Sequence, residues 1–106
     1  MSGTPESLIK SDIKDYLRQK GVFWSMVTGG PYSKVGDPDM VACCRGHYVA
    51  IEAKTYAGTM SAAQKIRMHQ ILRAGGTFIC ARTVDDVRLV VEKLDEGSEK
   101  DGKEEQ

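Results

Sequence analysis

The chain has 106 residues, of which 41% are hydrophobic and 28% charged, a composition typical of one folded domain rather than of a fibrous or low-complexity protein. Its basic and acidic residues balance at 15 each, so the overall charge does not by itself indicate a nucleic-acid partner. No apolar run reaches the roughly 20 residues of a membrane helix, and the first ten residues lack the layout of a secretory signal, so we expect an intracellular protein with no membrane partner.

The charge is unevenly distributed along the chain. Residues 95–106 carry six of the 15 acids and two of the 15 basic residues, which leaves 13 basic against 9 acidic residues in the preceding part. The same twelve residues contain no hydrophobic side chain, so they lack the means to join a core. The sequence therefore predicts a mildly basic folded domain over residues 1–94 and an acidic disordered tail over residues 95–106.

Three helices are predicted from capping signals and from the helical spacing of apolar residues. Thr4 followed by a proline is typical of a helix start, and Gly21 of a helix end. Ser61 is the predicted N-cap of a second helix that runs to Ala74, and a third helix opens after Thr83.

Four strands are predicted between these helices, at residues 22–27, 40–44, 47–54 and 77–81. The connection Arg45-Gly46 is short enough to join the second and third strands as an antiparallel hairpin. The resulting order α-β-β-β-α-β-α predicts an α/β fold in which a mixed central sheet is flanked by helices.

The predicted hairpin brings charged residues together at one end. Alternate residues of a strand share a face, so Glu52 and Lys54 are neighbours, and the hairpin returns Asp39 to a position beside Glu52. Two neighbouring carboxylates repel each other unless a cation lies between them, and such oxygen ligands suit Mg²⁺ or Mn²⁺. The pattern predicts a metal site for phosphodiester hydrolysis, in which Lys54 orients the attacking water or holds a phosphate oxygen.

Two further polar residues are candidates for the same site. Glu6 lies on the core-facing stripe of the first helix together with Ile13, and it offers a third carboxylate. Gln64 lies on the inner face of the second helix and offers a neutral hydrogen-bonding group.

Each candidate also has a purely structural interpretation. An acid in the first turn, such as Glu6, stabilises a helix through its dipole, and a buried amide such as Gln64 can cap backbone groups. Asp39 can close a turn, and Glu52 with Lys54 can form an ion pair that faces solvent.

The combination of motifs resembles a known group of nucleases. Pro38-Asp39 followed by Glu52-Ala53-Lys54 is similar to the PD-(D/E)xK signature of the restriction-endonuclease-like superfamily. The segments GDPD at 36–39, IEAK at 51–54 and SAAQ at 61–64 resemble in particular the virus-type replication-repair nuclease (VRR-NUC) family. The resemblance runs from Glu6 to about Val87 and implies a restriction-endonuclease-like core.

The resemblance implies a role for each matched residue. Asp39 and Glu52 would bind Mg²⁺ or Mn²⁺ together with the backbone carbonyl of Ala53, and Lys54 would assist the attacking water. The other implied site residues are Gln64, which supports the site, and Glu6, an accessory acid and candidate metal ligand. No role follows for Asp37.

The resemblance further implies a metal-dependent endonuclease that hydrolyses phosphodiester bonds of DNA. Short stand-alone members, often encoded by phages, are similar to Holliday-junction resolvases and act as homodimers on branched DNA, which would place a phage-encoded chain in the host cytoplasm. No element for reading base edges is visible, so the shape of the DNA would guide binding. Candidates for phosphate contacts are Lys34, Arg45, Lys65, Arg67 and Arg73, although single surface bases more often only maintain solubility.

Two alternative functions stay open on the sequence. One is a non-catalytic DNA- or protein-binding module that keeps the nuclease scaffold. The other is a flap or nicking nuclease that acts within a larger repair complex. Ile66 and the exposed side of the first helix are candidate dimer surfaces.

Overall fold

A computed structural model of the protein describes residues 4–31 and 33–105, with side chains up to residue 97. The elements in chain order are α1 (Pro5–Lys20), β1 (Phe23–Met26), β2 (Met40–Cys44), β3 (His47–Ala53), α2 (Ala62–Arg73), β4 (Thr77–Ala81) and α3 (Val84–Glu105). This is the order α-β-β-β-α-β-α that the sequence predicts. None of the helices in these residues is long and apolar enough to cross a membrane.

The helix boundaries follow local chemistry. The Thr4 hydroxyl accepts a hydrogen bond from the Ser7 N–H (3.2 Å), and Gly21 ends α1 in the left-handed conformation at φ +71°. Ser61 caps α2 through a hydrogen bond from the Gln64 N–H (3.1 Å). Strand β1 is shorter than the predicted strand over residues 22–27, because the backbone N–H of Val22 already belongs to the C-terminal turn of α1, where it donates to a carbonyl of that helix.

The sheet is mixed, with the strand order β1-β2-β3-β4. β1, β2 and β3 pair antiparallel, whereas β4 runs parallel to β3. Arg45 and Gly46 both have positive φ, at 52° and 84°, which gives the two-residue turn favoured by tight hairpins. The register pairs Met40 with Ile51, so Asp39 and Glu52 meet at the end of the hairpin opposite its turn.

The hydrophobic core lies on one face of the sheet, under α1 and α3. Ile13 and Leu17 of α1 and Val87 of α3 are fully buried against Met40 and Ile51. Burial of such side chains contributes about 1.5–3 kcal/mol each. This core fixes α1 across the end of the sheet where Asp39 and Glu52 lie.

Among the helices that the structure describes, α2 covers the opposite face of the sheet, where it packs against β4. Ala50 is buried beneath this layer, but α2 itself has no buried residue. Ile71 is half-buried, whereas Leu72, which shares its predicted inner stripe, is 48% exposed. A helix that covers one edge of a sheet buries only a narrow stripe, so α2 keeps apolar side chains in contact with solvent.

The last helix differs from the sequence expectation. α3 continues to Glu105, so the domain boundary predicted after Leu94 falls inside a helix. Asp95 belongs to the folded body, because it forms ion pairs with Lys20 (3.0 Å) and Arg45 (3.1 Å). Composition could not reveal these partners, since both come from distant parts of the chain. The predicted disorder of residues 95–106 falls mostly on residues 98–106, whose side chains lie outside the described residues.

Candidate active site

Asp39 connects β2 to the end of β3. Its side chain is almost fully buried, and its Oδ2 accepts a hydrogen bond from the Ala53 N–H (2.8 Å). The Thr28 hydroxyl lies 3.4 Å from the other oxygen, Oδ1. The backbone carbonyl of Asp39 also accepts the Val27 N–H at 2.9 Å. Asp39 therefore holds a fixed position at the edge of the sheet and does more than close a turn.

Glu52 is the second buried carboxylate, with only 3% of the residue exposed. Its Oε2 accepts a hydrogen bond from Gln64 Nε2 (2.8 Å) and lies 3.7 Å from Lys54 Nζ. Its Oε1 is buried and has no hydrogen-bond partner among the described residues. A buried carboxylate oxygen without a hydrogen-bond partner is unfavourable, so Oε1 is available to bind a ligand.

The surroundings of Glu52 also change its acidity. Burial, followed by the nearby charge of Asp39, raises the pKa of Glu52 from 4.5 to about 7, although Lys54 acts in the opposite direction. A carboxyl group in this state gains from a cation that stabilises its charged form. The environment of Glu52 therefore differs from that of a surface ion pair.

Gln64 makes both kinds of contact considered from the sequence: it caps backbone groups and it supports the site. Its side-chain oxygen accepts the Ser61 N–H (2.8 Å) and so completes a capping box at the start of α2. Its Nε2 meanwhile donates to Glu52. Gln64 thus fixes the orientation of the Glu52 carboxylate relative to α2.

Glu6 lies at the margin of the site. Its side chain is 42% exposed and is linked to Asp39 through Lys10, whose Nζ lies 3.8 Å from Glu6 Oε1 and 3.4 Å from Asp39 Oδ1. No three His, Cys, Asp or Glu side chains within the described ranges are close enough to form a metal-binding group. Glu6 therefore does not join Asp39 and Glu52 in one cluster of ligands.

The sequence analysis missed Lys10, which the structure brings into the site. The only signal for it was its position four residues after Glu6 and three before Ile13, which places it on the inner side of α1. Nothing in the sequence alone gives the angle at which α1 crosses the end of the sheet.

Comparison with solved structures identifies the fold. A structure described as "VRR_NUC domain" aligns with a TM-score of 0.70, covering 85% of this chain and 97% of that chain at 17% sequence identity. The chain has the fold of a VRR_NUC domain. The restriction-endonuclease-like α/β fold predicted from the motifs is thereby confirmed. A scan against models of protein families gives no match, and neither does a search of curated proteins.

In this VRR_NUC fold, Asp37 anchors the loop before Asp39 to α2. Asp37 Oδ2 accepts the Lys34 N–H (2.8 Å), and its Oδ1 lies 3.1 Å from Arg67 Nε. Gly36 adopts φ +91° where the loop passes Ala63, and a Cβ at Gly36 would lie 2.6 Å from the Ala63 carbonyl oxygen. The role that the motifs left open for Asp37 is thus to hold this loop against the start of α2.

Arg82 anchors a second segment near the site, and the sequence analysis did not predict this contact. Its Nη1 donates to the backbone carbonyls of Tyr56 (3.2 Å) and Gly58 (2.8 Å), and also to that of Thr55. These carbonyls belong to the segment that directly follows Lys54. Arg82 therefore restrains the backbone that carries the site lysine.

The candidate phosphate-binding residues divide into two groups by position. Lys34, Lys65 and Arg67 lie on the loop before Asp39 or in the first turns of α2, on the site's side of the VRR_NUC fold. Arg45 lies in the hairpin turn, roughly 20 Å away along β3, and is paired with Asp95. Arg73 is about 13 Å beyond Gln64 along α2. The structure does not bring Arg45 or Arg73 to the site.

The donor set of the site suits a hard divalent cation. Asp39 and Glu52 supply carboxylate oxygens, and the partnerless Oε1 of Glu52 is an oxygen available for such an ion. Ala53 lies directly beside both, since its N–H binds Asp39. The residues present therefore fit a divalent metal that prefers oxygen ligands.

Proposed function

We propose that the protein is a divalent-metal-dependent endonuclease that hydrolyses phosphodiester bonds of DNA. The observation that carries this proposal is the convergence of two buried carboxylates, Asp39 and Glu52, with Lys54 on a nuclease fold. The unpartnered Oε1 of Glu52 supports it further, because burying this atom without a partner would serve no structural purpose.

Asp39 and Glu52 would hold Mg²⁺ or Mn²⁺, with the backbone carbonyl of Ala53 as a third oxygen donor. When bound, the ion would supply stabilisation for the negative charge that develops on the phosphate during hydrolysis. Gln64 keeps one oxygen of Glu52 fixed, and the Ala53 N–H keeps one oxygen of Asp39 fixed. Both carboxylates are thus oriented before any ligand arrives, which reduces the reorganisation that the reaction requires.

Lys54 is the proposed partner of the attacking water. Its side chain is mostly buried, and its ammonium group lies 3.7 Å from Glu52 Oε2, so it faces the same space as the carboxylates. An ammonium group in this place can orient a water molecule or hold a phosphate oxygen by hydrogen bonding. The other accessible cations, Lys34 and Lys65, would contact neighbouring phosphates of the DNA.

Branched DNA is the proposed substrate class, with a four-way junction as its leading member, and the active form would be a homodimer. A junction has two-fold symmetry, so a dimer with two-fold symmetry would present one site to each of two opposing strands. The apolar residues that α2 leaves exposed, above all Ile66 at 60%, support a contact between two copies of the chain.

Cleavage of a defined set of substrates tests this function. Purified protein is incubated with labelled four-way junction, flap and linear duplex DNA in the presence of Mn²⁺, Mg²⁺ or chelator, beside a Lys54→Ala variant. We expect metal-dependent cutting of the junction by the wild type, and no cutting by Lys54→Ala at unchanged folding and DNA binding. Cutting of flaps or duplex alone would keep the nuclease and exclude a resolvase. Wild-type rates in Lys54→Ala would exclude the role given to this lysine.

A further inference from the structure

Lys10 of α1 lies within the site although no motif includes it. Its ammonium nitrogen is 3.4 Å from Asp39 Oδ1 and 3.8 Å from Glu6 Oε1, and its side chain is 26% exposed. The other oxygen of Asp39 is occupied by the Ala53 N–H. Lys10 therefore contacts the Asp39 oxygen that has no backbone partner, and the Thr28 hydroxyl lies 3.4 Å from the same oxygen.

Each of the two buried carboxylates of the site has a lysine beside it. Lys10 lies beside Asp39, and Lys54 lies beside Glu52. A divalent cation that binds Asp39 Oδ1 at about 2–2.5 Å would compete with Lys10 for this oxygen. The cation and Lys10 would also repel each other at this range.

We propose that Lys10 sets the metal affinity of the site, by neutralising Asp39 in the metal-free protein and shifting toward Glu6 when a divalent cation binds. This inference rests on the proposed function. Glu6 is then the carboxylate that receives the displaced ammonium group, and it is not a metal ligand.

The geometry of α1 favours such a shift. Glu6 and Lys10 are four residues apart, so their side chains lie one above the other on the same helix face. Lys10 already lies between the two carboxylates, and its four-carbon stem allows a small movement without any change in the helix. The Glu6 side chain is more exposed than that of Asp39 (42% against 7%), so movement toward Glu6 takes the ammonium group away from the buried carboxylate.

Calorimetric titration of DNA-free protein with Mn²⁺ tests this role without relying on activity. Lys10→Met should bind Mn²⁺ about fivefold to tenfold more tightly than the wild type, because it keeps the apolar stem and removes the competing charge. Lys10→Arg should retain an affinity near that of the wild type. Lys14→Met, the same charge change one turn further along α1, is the matched control and should also leave the affinity unchanged.

A double-mutant cycle tests the part assigned to Glu6. Glu6→Gln should weaken Mn²⁺ binding when Lys10 is present, because the displaced ammonium group loses its second partner. It should have little effect in the Lys10→Met background. Equal weakening in both backgrounds would make Glu6 a direct ligand and overturn the proposed shift.

The outcomes separate this inference from the proposed function. Saturable Mn²⁺ binding by the wild type that is lost in Asp39→Ala would support the metal site itself. Equal Mn²⁺ affinity of wild type and Lys10→Met would then overturn only the role of Lys10. No saturable binding by either protein would overturn both. Circular dichroism establishes that each variant is folded, and Lys10→Gln replaces Lys10→Met should the latter not fold.

Discussion

At the scale of single residues, the site holds more negative charge than a buried position favours. Glu52 is almost fully buried beside Asp39, and this raises the pKa of Glu52 to about 7. The two carboxylates therefore oppose folding when both are ionised, and a divalent cation would relieve that repulsion. The two carboxylates thus lower the stability of the metal-free folded protein and provide oxygen ligands for an ion.

The unfavourable ionisation of Glu52 predicts how the free energy of unfolding depends on pH. The pKa of Glu52 is raised above its ordinary value of 4.5, so the folded state favours the protonated acid, and stability falls as the pH rises from about 4.5 through about 7. Glu52→Gln removes the ionisation. We expect this variant to melt at least about 5 °C above the metal-free wild type at pH 8, with the difference vanishing below pH 4.5.

Thermal unfolding in chelator across this pH range measures the effect. Glu96→Gln, the same substitution at an exposed position of α3, is the control and should change the melting temperature little at any pH. A melting temperature of Glu52→Gln equal to or below that of the wild type at pH 8 would contradict the electrostatic account of Glu52.

The residues of the site differ in how far the sequence could predict them. The juxtaposition of Asp39 and Glu52 was predictable because a two-residue turn fixes the register of a hairpin, and this needs only local information. Lys10 was not predictable, because its contact with Asp39 depends on how α1 crosses the sheet. The same reason explains why Glu6 was expected beside the carboxylates and is instead linked to them through Lys10.

At the scale of elements, the loop between β1 and β2 depends on its contact with the start of α2. Gly36 has φ +91°, and a Cβ there would meet the backbone carbonyl oxygen of Ala63 at 2.6 Å. Gly29 of the same loop has the same φ of +91°, but a Cβ there would have no heavy atom of the described residues within 4 Å. Substitution of these two glycines thus distinguishes the effect of backbone strain alone from that of strain combined with a close packing contact.

Alanine substitution at these glycines should give different results. Gly29→Ala should lower the free energy of unfolding by about 1 kcal/mol, because only the left-handed backbone is strained. Gly36→Ala should lower it by about 3 kcal/mol, because the Cβ also pushes the loop away from Ala63 and loosens the Asp37 contact with Arg67. Urea unfolding measures both, and equal losses would show that the loop does not depend on this close approach.

The predicted boundaries of the helices agree with the structure where a capping residue defines them. They differ from the structure where contacts with residues distant in the sequence hold the end of the element. Thr4, Gly21 and Ser61 were identified correctly as caps because capping is chemistry within one turn of helix. The continuation of α3 past Leu94 was missed, since Asp95 is held by Lys20 and Arg45. Composition reports the charge of such a segment and carries no information on its partners.

At the scale of the whole molecule, the two faces of the sheet are covered unequally. α1 and α3 bury one face in a continuous core, whereas α2 covers the other face without burying any of its own residues. Ile66 of α2 is 60% exposed, and Tyr48 of β3 is 49% exposed. The layered fold was predictable from the element order, but how much of α2 stays exposed depends on packing that no local pattern encodes.

The proposed homodimer predicts the effect of a charge on this surface. Ile66→Glu should convert a dimer into a monomer, because a carboxylate cannot be buried between two copies without a partner. Leu89→Glu is the matched control, since Leu89 of α3 is also largely exposed (68%) and lies on the other side of the sheet. Sedimentation analysis of both variants and the wild type decides the question. A monomeric wild type, or a dimer that survives Ile66→Glu, would contradict this surface.

The measurement that tests the central claim most directly is metal-dependent cleavage of a labelled four-way junction by the wild type, Asp39→Ala and Asp12→Ala. Asp12 is an exposed acid of α1, so its variant controls for the loss of a carboxylate. The account predicts that wild type and Asp12→Ala cut the DNA with Mn²⁺ or Mg²⁺ and not with chelator, and that Asp39→Ala does not cut while remaining folded. Cutting by Asp39→Ala at the wild-type rate, or cutting in chelator, would contradict it.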